Sequence, residues 1–358
     1  MAIRSLIINP GSTSTKLGIF TDETLEMDET LRHSTEEIAK YESIIAQKDF
    51  RKKIILEFLA GRDIDVHSFN VIVGRGGMLK PMPGGTYAVT DMLRKDLEVG
   101  VQGQHASNLG GILAREIGDE IGVPSYIVDP VVVDELCDAA RLSGLPEIPR
   151  VSVFHALNQK AVCRRYAAEI GRKYEDLNLI GIHLGGGVSV AAHEKGRVID
   201  VFNALDGDGA FSPERCGALP VGGLIRLCYS GKYTREQMMK RAVGGGGFNA
   251  YVGTNDARQV MEMINGGNTD AKLMMDAFVL QLSKNAGAMA AVLSGHVDRI
   301  IITGGIAHNK WVTDEIEKRV SFIAPVTVYP GEDELLALAQ GALRVMRGEE
   351  KAKVYEEV

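Results

Sequence analysis

Three stretches of the chain place a short glycine-rich or polar turn next to a run of apolar residues. The first, residues 6–20, is an apolar run, then Asn-Pro-Gly-Ser-Thr-Ser-Thr-Lys, then a second apolar run. Residues 178–192 repeat this plan around a Gly-Gly-Gly turn, and residues 299–307 run into Thr-Gly-Gly ahead of a predicted helix at Asn309. The pattern predicts two strand-turn-strand hairpins and one strand that enters a glycine turn.

The remaining periodicity predicts alternating helices and strands. Further strands are predicted at residues 25–30, 69–74, 125–128, 197–201 and 325–330. Helices are predicted after the capping box Ser34–Glu37, after Thr90, from 104–108 to 121, from Val131, at 155–160, after Asn255 as the cap, over 271–293 and after Glu332. The polar loop at 206–217 is too irregular for a core, and loops of that size are usually functional.

Size and charge narrow the class of protein. The 358 residues, 45% hydrophobic and 24% charged, suit two globular domains. A net charge of -7 without a basic block argues against a nucleic-acid surface. We find neither an apolar run that could span a bilayer nor a secretory signal before the first strand. The four cysteines form no CxxC pair and no Cys/His cluster, so we expect a cytoplasmic protein with free thiols and without zinc.

The first turn combines backbone N–H groups, hydroxyls and one lysine, which suits a phosphate group. The candidate phosphate ligands are Asn9, Ser12, Ser14 and Lys16. On this stretch alone, a hydroxyl-rich hairpin with an exposed lysine remains an equally good interpretation. The second glycine turn and the late Thr-Gly-Gly turn favour phosphate binding.

Taken together, the three turns resemble the phosphate loops of the actin, hexokinase and Hsp70 type of ATPase. The resemblance implies an α/β fold of two duplicated actin-like (ribonuclease H-like) domains with a nucleotide cleft between them. The N-terminal domain would cover residues 1–130 and be rejoined by a C-terminal helix at 336–358. The second domain, residues 131–335, would bind the nucleotide; the boundary after Asp129-Pro130 follows a strand that proline stops.

Within that superfamily, residues 6–343 are similar to the acetokinases, which are kinases of acetate, butyrate and related carboxylates. The first turn is closer to the butyrate branch than to the acetate branch, whose version is Asn-Ala-Gly-Ser-Ser-Ser-Leu-Lys. The resemblance implies reversible phosphorylation of a short-chain carboxylate by ATP with Mg²⁺, by direct in-line transfer. Butyrate is the leading substrate, and acetate, propionate, isobutyrate and isovalerate are the alternatives.

A carboxylate kinase joins two anions, so catalysis must cancel charge before a carboxylate oxygen approaches the γ-phosphorus. Arg75 and Arg215 lie beside glycines on irregular turns, where a planar guanidinium can bind a carboxylate and the transferring phosphoryl group. A surface arginine is the alternative for each. The resemblance gives both that catalytic role, and it places His155 and His183 against the phosphoryl group.

The resemblance also implies the metal and nucleotide ligands. Asp129 and Glu334, with Asn9, would lie on the magnesium side, and Mg²⁺ needs only one or two protein carboxylates. Asp129 is also one of the catalytic residues that the resemblance implies. His105 is a weaker candidate on the substrate side. ADP would be surrounded by Gly185, Gly186, Gly187, Asp256, Arg258, Gly304, Gly305 and Asn309. Asp256 and Arg258, two residues apart near a helix start, could equally form a surface pair.

Other classes of protein fit the sequence less well. An Hsp70-like nucleotide switch would need a peptide-binding domain after the ATPase core, for which we see no room. The chain lacks the Gly-x-Gly-x-x-Gly turn of dinucleotide enzymes and the Gly-Lys-Ser/Thr element of P-loop kinases. We expect a homo-oligomer, a dimer or a multiple of dimers, in which the Ala/Met-rich helix at 271–293 serves either as an interface or as internal core.

Overall fold

The computed structural model describes residues 2–355. The chain forms two compact units: unit 1 comprises Met1–Val133 and Asp333–Val358, and unit 2 comprises Asp134–Glu332. The chain thus passes between units at 133/134 and 332/333, where the sequence suggested 130/131 and 335/336. Within residues 2–355, no helix is both long enough and apolar enough to cross a membrane.

Unit 1 is built on a six-stranded sheet with helices packed against it. Its strands are β1 (Arg4–Pro10), β2 (Ser14–Thr21), β3 (Thr24–Arg32), β4 (Val71–Arg75), β5 (Thr86–Ala88) and β6 (Ser125–Val128). Its first helices are α1 (Thr35–Ile38), α2 (Lys48–Gly61), α3 (Asp91–Val99) and α4 (Asn108–Ile121). The strand order is β3-β2-β1-β4-β6-β5, and β1, β4 and β6 are parallel. The predicted first hairpin and third strand are confirmed.

Unit 2 is built on a five-stranded sheet. Its helices are α5 (Ala156–Glu169), α6 (Val221–Cys228), α7 (Arg235–Ala242), α8 (Gly247–Val252), α9 (Ala257–Asn265), α10 (Thr269–Val292) and α11 (Lys310–Val320). Its strands are β7 (Asn178–Leu184), β8 (Val188–Glu194), β9 (Arg197–Val201), β10 (Arg299–Gly304) and β11 (Val326–Pro330). The strand order is β11-β10-β7-β8-β9, with β7, β10 and β11 parallel.

Both sheets follow one plan. An antiparallel meander of three strands comes first, and the first strand of each meander pairs in parallel with a later strand. The central parallel strands are buried on both faces, which is why 6–8 and 300–302 read as unbroken apolar runs. The predicted duplicated α/β fold follows from this shared topology.

The final helix, α12 (Glu334–Met346), packs on β1, β4 and β6 of unit 1. It is shorter than the helix predicted over 336–358, because Gly348 has φ of 74° and the chain then forms a bridge between Lys353 and Tyr87. Residues 356–358 of that prediction lie outside the described residues. The first residue of α12, Glu334, contacts Asn9 and Arg75 at the carboxyl ends of β1 and β4, and Gly341 lies against Val128 at the end of β6.

Three local predictions are wrong or incomplete. The helix predicted from Val131 is absent from the described chain; Val133 instead bridges to Met82, and three successive β-branched valines disfavour a helix. Asp256, rather than Asn255, caps α9 by accepting from the Arg258 N–H. The capping box at Ser34 is confirmed, but the helix it opens ends at Ile38, before α2 begins.

The Ala/Met-rich helix α10 lies in the core of unit 2. It buries nine side chains, including Met274, Met275 and Phe278, in the largest hydrophobic cluster of that unit. Of the two roles that its sequence allowed, interface or internal core, the structure shows the core.

Candidate active site

Three of the candidate residues meet at one edge of the unit 1 sheet. Asn9 and Arg75 lie at the carboxyl ends of the adjacent parallel strands β1 and β4, and Glu334 is the first residue of α12. The Asn9 amide donates to Glu334 Oε2 over 2.7 Å, and the Arg75 guanidinium pairs with Glu334 Oε1. Arg75 and Glu334 are both partly exposed, so a ligand can reach them. A cation and a carboxylate that are 259 residues apart in the chain are therefore joined (75 to 334).

Asp129 follows the next parallel strand, β6, and is buried. Its backbone has φ of 38°, a left-handed conformation that a residue other than glycine adopts at a cost. Two hydrogen bonds hold it there: Asp129 Oδ1 accepts from the Gly85 N–H over 2.7 Å, and the Asp129 N–H donates to the Gly85 carbonyl over 3.0 Å. The carboxylate is thus held rigidly where the strand ends.

Whether these residues fit Mg²⁺ depends on their donor set. Within residues 2–355, no three His, Cys, Asp or Glu side chains cluster as a ready metal cage. Mg²⁺ usually takes one or two carboxylates and completes its shell with water and phosphate oxygens. The oxygens of Glu334, Asp129 and Asn9 fit that requirement, whereas they would not suffice for an ion that needs an all-protein cage.

The turn between β1 and β2 is held by hydrogen bonds from Arg51, a residue that sequence reasoning did not single out. This arginine on α2 is 1% exposed. Its guanidinium donates to the carbonyls of Gly11, Ser12 and Ser14 over 2.9, 3.1 and 2.9 Å. Its remaining donors bind Gln47 Oε1 and Thr15 Oγ1. Burial lowers the pKa of Arg51 to about 10, so it is a cation at neutral pH, beneath the turn.

The other unit 1 candidates are less tightly placed. Lys16, the cross-strand neighbour of Asn9, forms an exposed pair with Asp28 at 3.6 Å. The backbone carbonyls of Ser12 and Ser14 accept hydrogen bonds from Arg51, so this arginine holds the main chain of the turn in place. His105 Nδ1 lies 2.8 Å from Ser107 Oγ, and burial together with the Arg75 charge lowers the pKa of His105. A neutral His105 beside a cation fits the weaker, substrate-side assignment.

In unit 2, the Gly185–Gly187 turn between β7 and β8 is covered by the polar loop at 206–217. The Gly185 N–H donates to the Gly187 carbonyl over 2.9 Å, and Ser212 Oγ donates to the Gly186 carbonyl over 2.7 Å. Arg215 lies so close to Gly187 that a Cβ there would overlap its guanidinium. The guanidinium donates to the Ala204 carbonyl, and burial lowers its pKa. The loop therefore brings Arg215 to the glycine turn.

His155 and His183 stack face to face beside this turn. Their ring centroids are 3.7 Å apart and the ring planes differ by 7°. His155 is the N-cap residue of α5, and its Nδ1 lies 2.9 Å from Ser189 Oγ. His183 Nδ1 lies 2.8 Å from Asn158 Oδ1, an acceptor, so this nitrogen carries a proton. Two of the predicted phosphoryl-contacting residues are thus held together by groups on α5 and β8.

The second nitrogen of His183 faces the glycine turn. His183 Nε2 is buried without a hydrogen bond of good geometry, although Glu332 Oε1 lies only 3.1 Å away. Because Nδ1 already carries a proton, Nε2 can donate only when the ring is an imidazolium, which Glu332 would then stabilise. The contact is an ion pair only when the His183 ring is protonated.

A cavity of about 880 Å³ lies in unit 2, a volume suited to a nucleotide-sized ligand. Six predicted nucleotide residues line it: Gly185, Gly186, Asp256, Arg258, Gly305 and Asn309. Its wall also includes Glu214, Asn255, Met261, Ile306, His308 and Glu332, which sequence reasoning missed. These residues lie close to predicted residues along the chain, so proximity to the motifs was the available signal.

Several of the predicted nucleotide-binding residues also stabilise the local structure. Asp256 forms an ion pair with Arg258 at 2.7 Å, and hydrogen bonds from Arg258 lower the pKa of Asp256 to about 2. Asn309 Oδ1 caps α11. Gly304 has φ of 94°, and a Cβ there would overlap the backbone of Leu184 at the end of β7. The Asp256–Arg258 surface pair is thus real, and both residues also line the cavity.

Comparison with known proteins gives a consistent result. A family model described as the acetokinase family matches residues 147–324. A "Probable butyrate kinase" of Clostridium botulinum (strain Eklund 17B / Type B) is 58% identical over 355 residues, which cover 99% of this chain and all of that protein. "Butyrate kinase 1" of Clostridium acetobutylicum is 60% identical over 353 residues, 99% of each chain. Among solved structures, Porphyromonas gingivalis acetate kinase superimposes with a TM-score of 0.77 at 19% identity, covering 96% of this chain and 100% of that one.

Proposed function

Since the chain belongs to the acetokinase family, we propose that it transfers the γ-phosphoryl group of ATP reversibly to butyrate, giving butanoyl phosphate and ADP. The observation that carries this proposal is the identity of 58–60% to butyrate kinases over 99% of the chain. Identity at that level supports a shared activity as well as a shared fold. The 19% identity to acetate kinase supports the shared fold alone.

The chemistry requires little from the enzyme beyond positioning and charge stabilisation. A carboxylate is already ionised at pH 7, so no base is needed to activate it. In the proposed mechanism the substrate carboxylate attacks the γ-phosphorus in line, without a covalent enzyme intermediate. Arg75 binds the carboxylate, and Arg215 with the two histidines donates to the oxygens of the transferring group.

The nucleotide would occupy the unit 2 cavity. Its lining by Gly186 and Gly305 lets backbone N–H groups approach phosphate oxygens without a side chain in between, while the Gly185 N–H is used within the turn. Arg258, whose guanidinium is largely exposed, lies on the wall together with Asp256. The conformation forced on Gly304 supports the assignment of a turn built for close backbone approach.

Magnesium would be held by Glu334, Asp129 and Asn9, with phosphate oxygens and water as the remaining ligands. The ion would neutralise phosphate charge when bound. Glu334 now pairs with Arg75 and Asn9, so both its oxygens have partners that a bound ion would compete with. The location of the enzyme in the cytoplasm stays a prediction from the sequence.

A homo-oligomer is part of the proposal, and α6 is its proposed interface with a second copy of the chain. Every residue of α6 is at least partly exposed, including Val221, Leu224 and Ile225, and Tyr229 follows it. Apolar patches of this kind mark association surfaces more often than free ones. Analytical ultracentrifugation of wild type and of Ile225→Asp tests it: a wild-type monomer would contradict the proposal.

The direct test of the activity is ATP- and Mg²⁺-dependent formation of acyl phosphate, trapped with hydroxylamine. Acetate, propionate, butyrate, isobutyrate and isovalerate serve as substrates, and reactions without ATP or without acid serve as controls. We expect the highest kcat/KM with butyrate, although one methylene discriminates by only about 1–3 kcal/mol. A maximum at another of the acids would replace the substrate, and no acyl phosphate from any acid would overturn the activity.

A further inference from the structure

Ser189 connects His155 to a buried chain of hydrogen bonds that the proposed mechanism does not yet use. Ser189 Oγ lies 2.9 Å from His155 Nδ1 and 2.8 Å from Gln159 Nε2. Gln159 Oε1 lies 2.9 Å from His193 Nε2, and His193 Nδ1 lies 2.6 Å from the Tyr174 hydroxyl. Ser189, Gln159 and His193 are almost completely buried. A polar chain of this kind is stable only when every member has a partner.

The directions of the hydrogen bonds around Gln159 follow from one group that can only accept. The backbone carbonyl of Ser189 accepts from Gln159 Nε2 over 3.2 Å, which fixes the orientation of the Gln159 amide. Gln159 Oε1 therefore faces His193 Nε2, and that nitrogen must donate. Burial lowers the pKa of His193 to about 3, so the ring is neutral and its Nδ1 accepts the proton of Tyr174.

The proton on His155 depends on Ser189. Ser189 Oγ accepts from the Gln159 amide, which leaves its own hydroxyl proton free to be donated to His155 Nδ1. In that arrangement His155 Nδ1 is an acceptor. The proton of the neutral ring is consequently on Nε2, the opposite nitrogen.

We propose that Ser189, Gln159 and His193 are positioning residues that hold His155 as its Nε2–H tautomer, a neutral donor for the oxygens of the transferring phosphoryl group. This inference rests on the proposed function, because phosphoryl oxygens accept hydrogen bonds and an unprotonated Nε2 would repel them. The stacked partner His183 has the opposite arrangement, with its proton on Nδ1 toward Asn158. The two rings are thus not equivalent donors, although they stack with their centroids 3.7 Å apart.

The tautomer can be measured without any assay of activity. In the ¹⁵N–¹H correlation spectrum of protein labelled at its eight histidines, the Nε2–H tautomer shows a protonated Nε2 and an unprotonated Nδ1. His155→Gln assigns the signals of His155 by their loss. We expect wild-type His155 to be the Nε2–H tautomer at neutral pH, and a wild-type Nδ1–H tautomer would overturn the inference.

Ser189→Ala then tests the chain that holds it. We expect a mixture of tautomers at His155 and a fall in kcat of about tenfold or more, with the KM for ATP and for butyrate nearly unchanged. Ser189→Thr, which keeps the hydroxyl, should restore both. Ser283→Ala is the matched control, because it removes a hydroxyl bonded to the Val279 carbonyl in α10 and should change neither readout.

The outcomes separate this inference from the proposed activity. An active wild-type enzyme whose His155 tautomer is unchanged by Ser189→Ala would overturn the positioning role and leave the kinase activity standing. A wild type that phosphorylates no acid would overturn the activity, while the spectrum would still report the proton on His155. Circular dichroism of each variant shows that a loss of activity is not a loss of fold.

Discussion

Arg75 and Arg215 are the two guanidinium groups to which the proposed mechanism assigns charge cancellation. Arg75 pairs with Glu334, while Arg215 is packed on Gly187 and bonded to the Ala204 carbonyl. Neither fills a hydrophobic core. Their removal should therefore affect the reaction much more than the fold.

We predict that Arg75→Ala and Arg215→Ala each lower kcat/KM for butyrate about a hundredfold or more, because each removes donors to charge that develops in the transition state. Steady-state kinetics with the hydroxylamine assay measures the loss. Arg94→Ala is the control, since Arg94 forms a partly exposed ion pair with Glu98 on the same helix, α3. Turnover near the wild-type value in either arginine variant would refute its assignment.

Arg51 acts through the backbone rather than on a ligand. It is a buried cation whose hydrogen bonds all go to neutral acceptors. Three of these acceptors are carbonyls of the β1–β2 turn, so the buried guanidinium ties the main chain of the turn to α2.

We expect Arg51→Met to lower the free energy of unfolding by about 2–3 kcal/mol, because it leaves turn carbonyls without donors. The KM for ATP should rise as the turn loses its shape. Urea denaturation and steady-state kinetics measure the two effects, and Lys53→Met on the exposed face of α2 is the matched control. An unchanged turn, with both quantities at wild-type values, would contradict the role.

At the scale of elements, α4 can lie against β4 only because glycines face each other. A Cβ on Gly74 would overlap the Gly110 carbonyl, and a Cβ on Gly110 would overlap the backbone of Arg75. Close approach of this helix therefore fixes the end of β4 and with it the position of Arg75.

Gly110→Ala should destabilise unit 1 although alanine normally favours a helix. Gly287→Ala is the matched comparison: it lies inside α10, and a Cβ there meets no atom within 4 Å. We predict that Gly287→Ala raises the free energy of unfolding by up to about 1 kcal/mol, whereas Gly110→Ala lowers both stability and kcat. Thermal unfolding and steady-state kinetics measure the two effects. Equal effects of the two variants would show that the close approach of α4 to β4 is unimportant.

For the whole molecule, buried neutral histidines make stability depend on pH. Burial lowers the pKa values of His33, His105 and His193, to about 3 for His193, from an unfolded value of 6.5. Below pH 6.5 the unfolded chain therefore binds protons that the folded chain does not, and stability falls with decreasing pH. His193 alone should cost about 2 kcal/mol between pH 7 and pH 5.

We predict that His193→Gln reduces the loss of unfolding free energy between pH 7 and pH 5 by about that amount. Urea denaturation of wild type and variant at both pH values measures it, with a variant of the exposed His67 as the control. The same acid loss in wild type and in His193→Gln would show that the buried ring does not resist protonation.

Sequence periodicity located most of the elements, since β8, β9, β10 and α10 follow from local apolar patterns and turn residues. Periodicity gave the wrong element where a local pattern is compatible with more than one secondary structure. The pattern after Val131 predicts a helix, but Val133 pairs with Met82 and Glu135 binds Lys160. Such partners, distant in the chain, decide the conformation of a segment whose own propensities are weak.

The sequence by itself determined the duplicated α/β fold, the glycine turns and, through its similarity to known proteins, the family. Only the tertiary structure decided which side chains meet: Asn9 and Arg75 with Glu334, Arg51 with the first turn, and Ser189 with His155. Apolar period and turn chemistry act over a few residues and are visible in the sequence. Hydrogen-bond partners depend on strand register and helix placement, which only the packed chain defines.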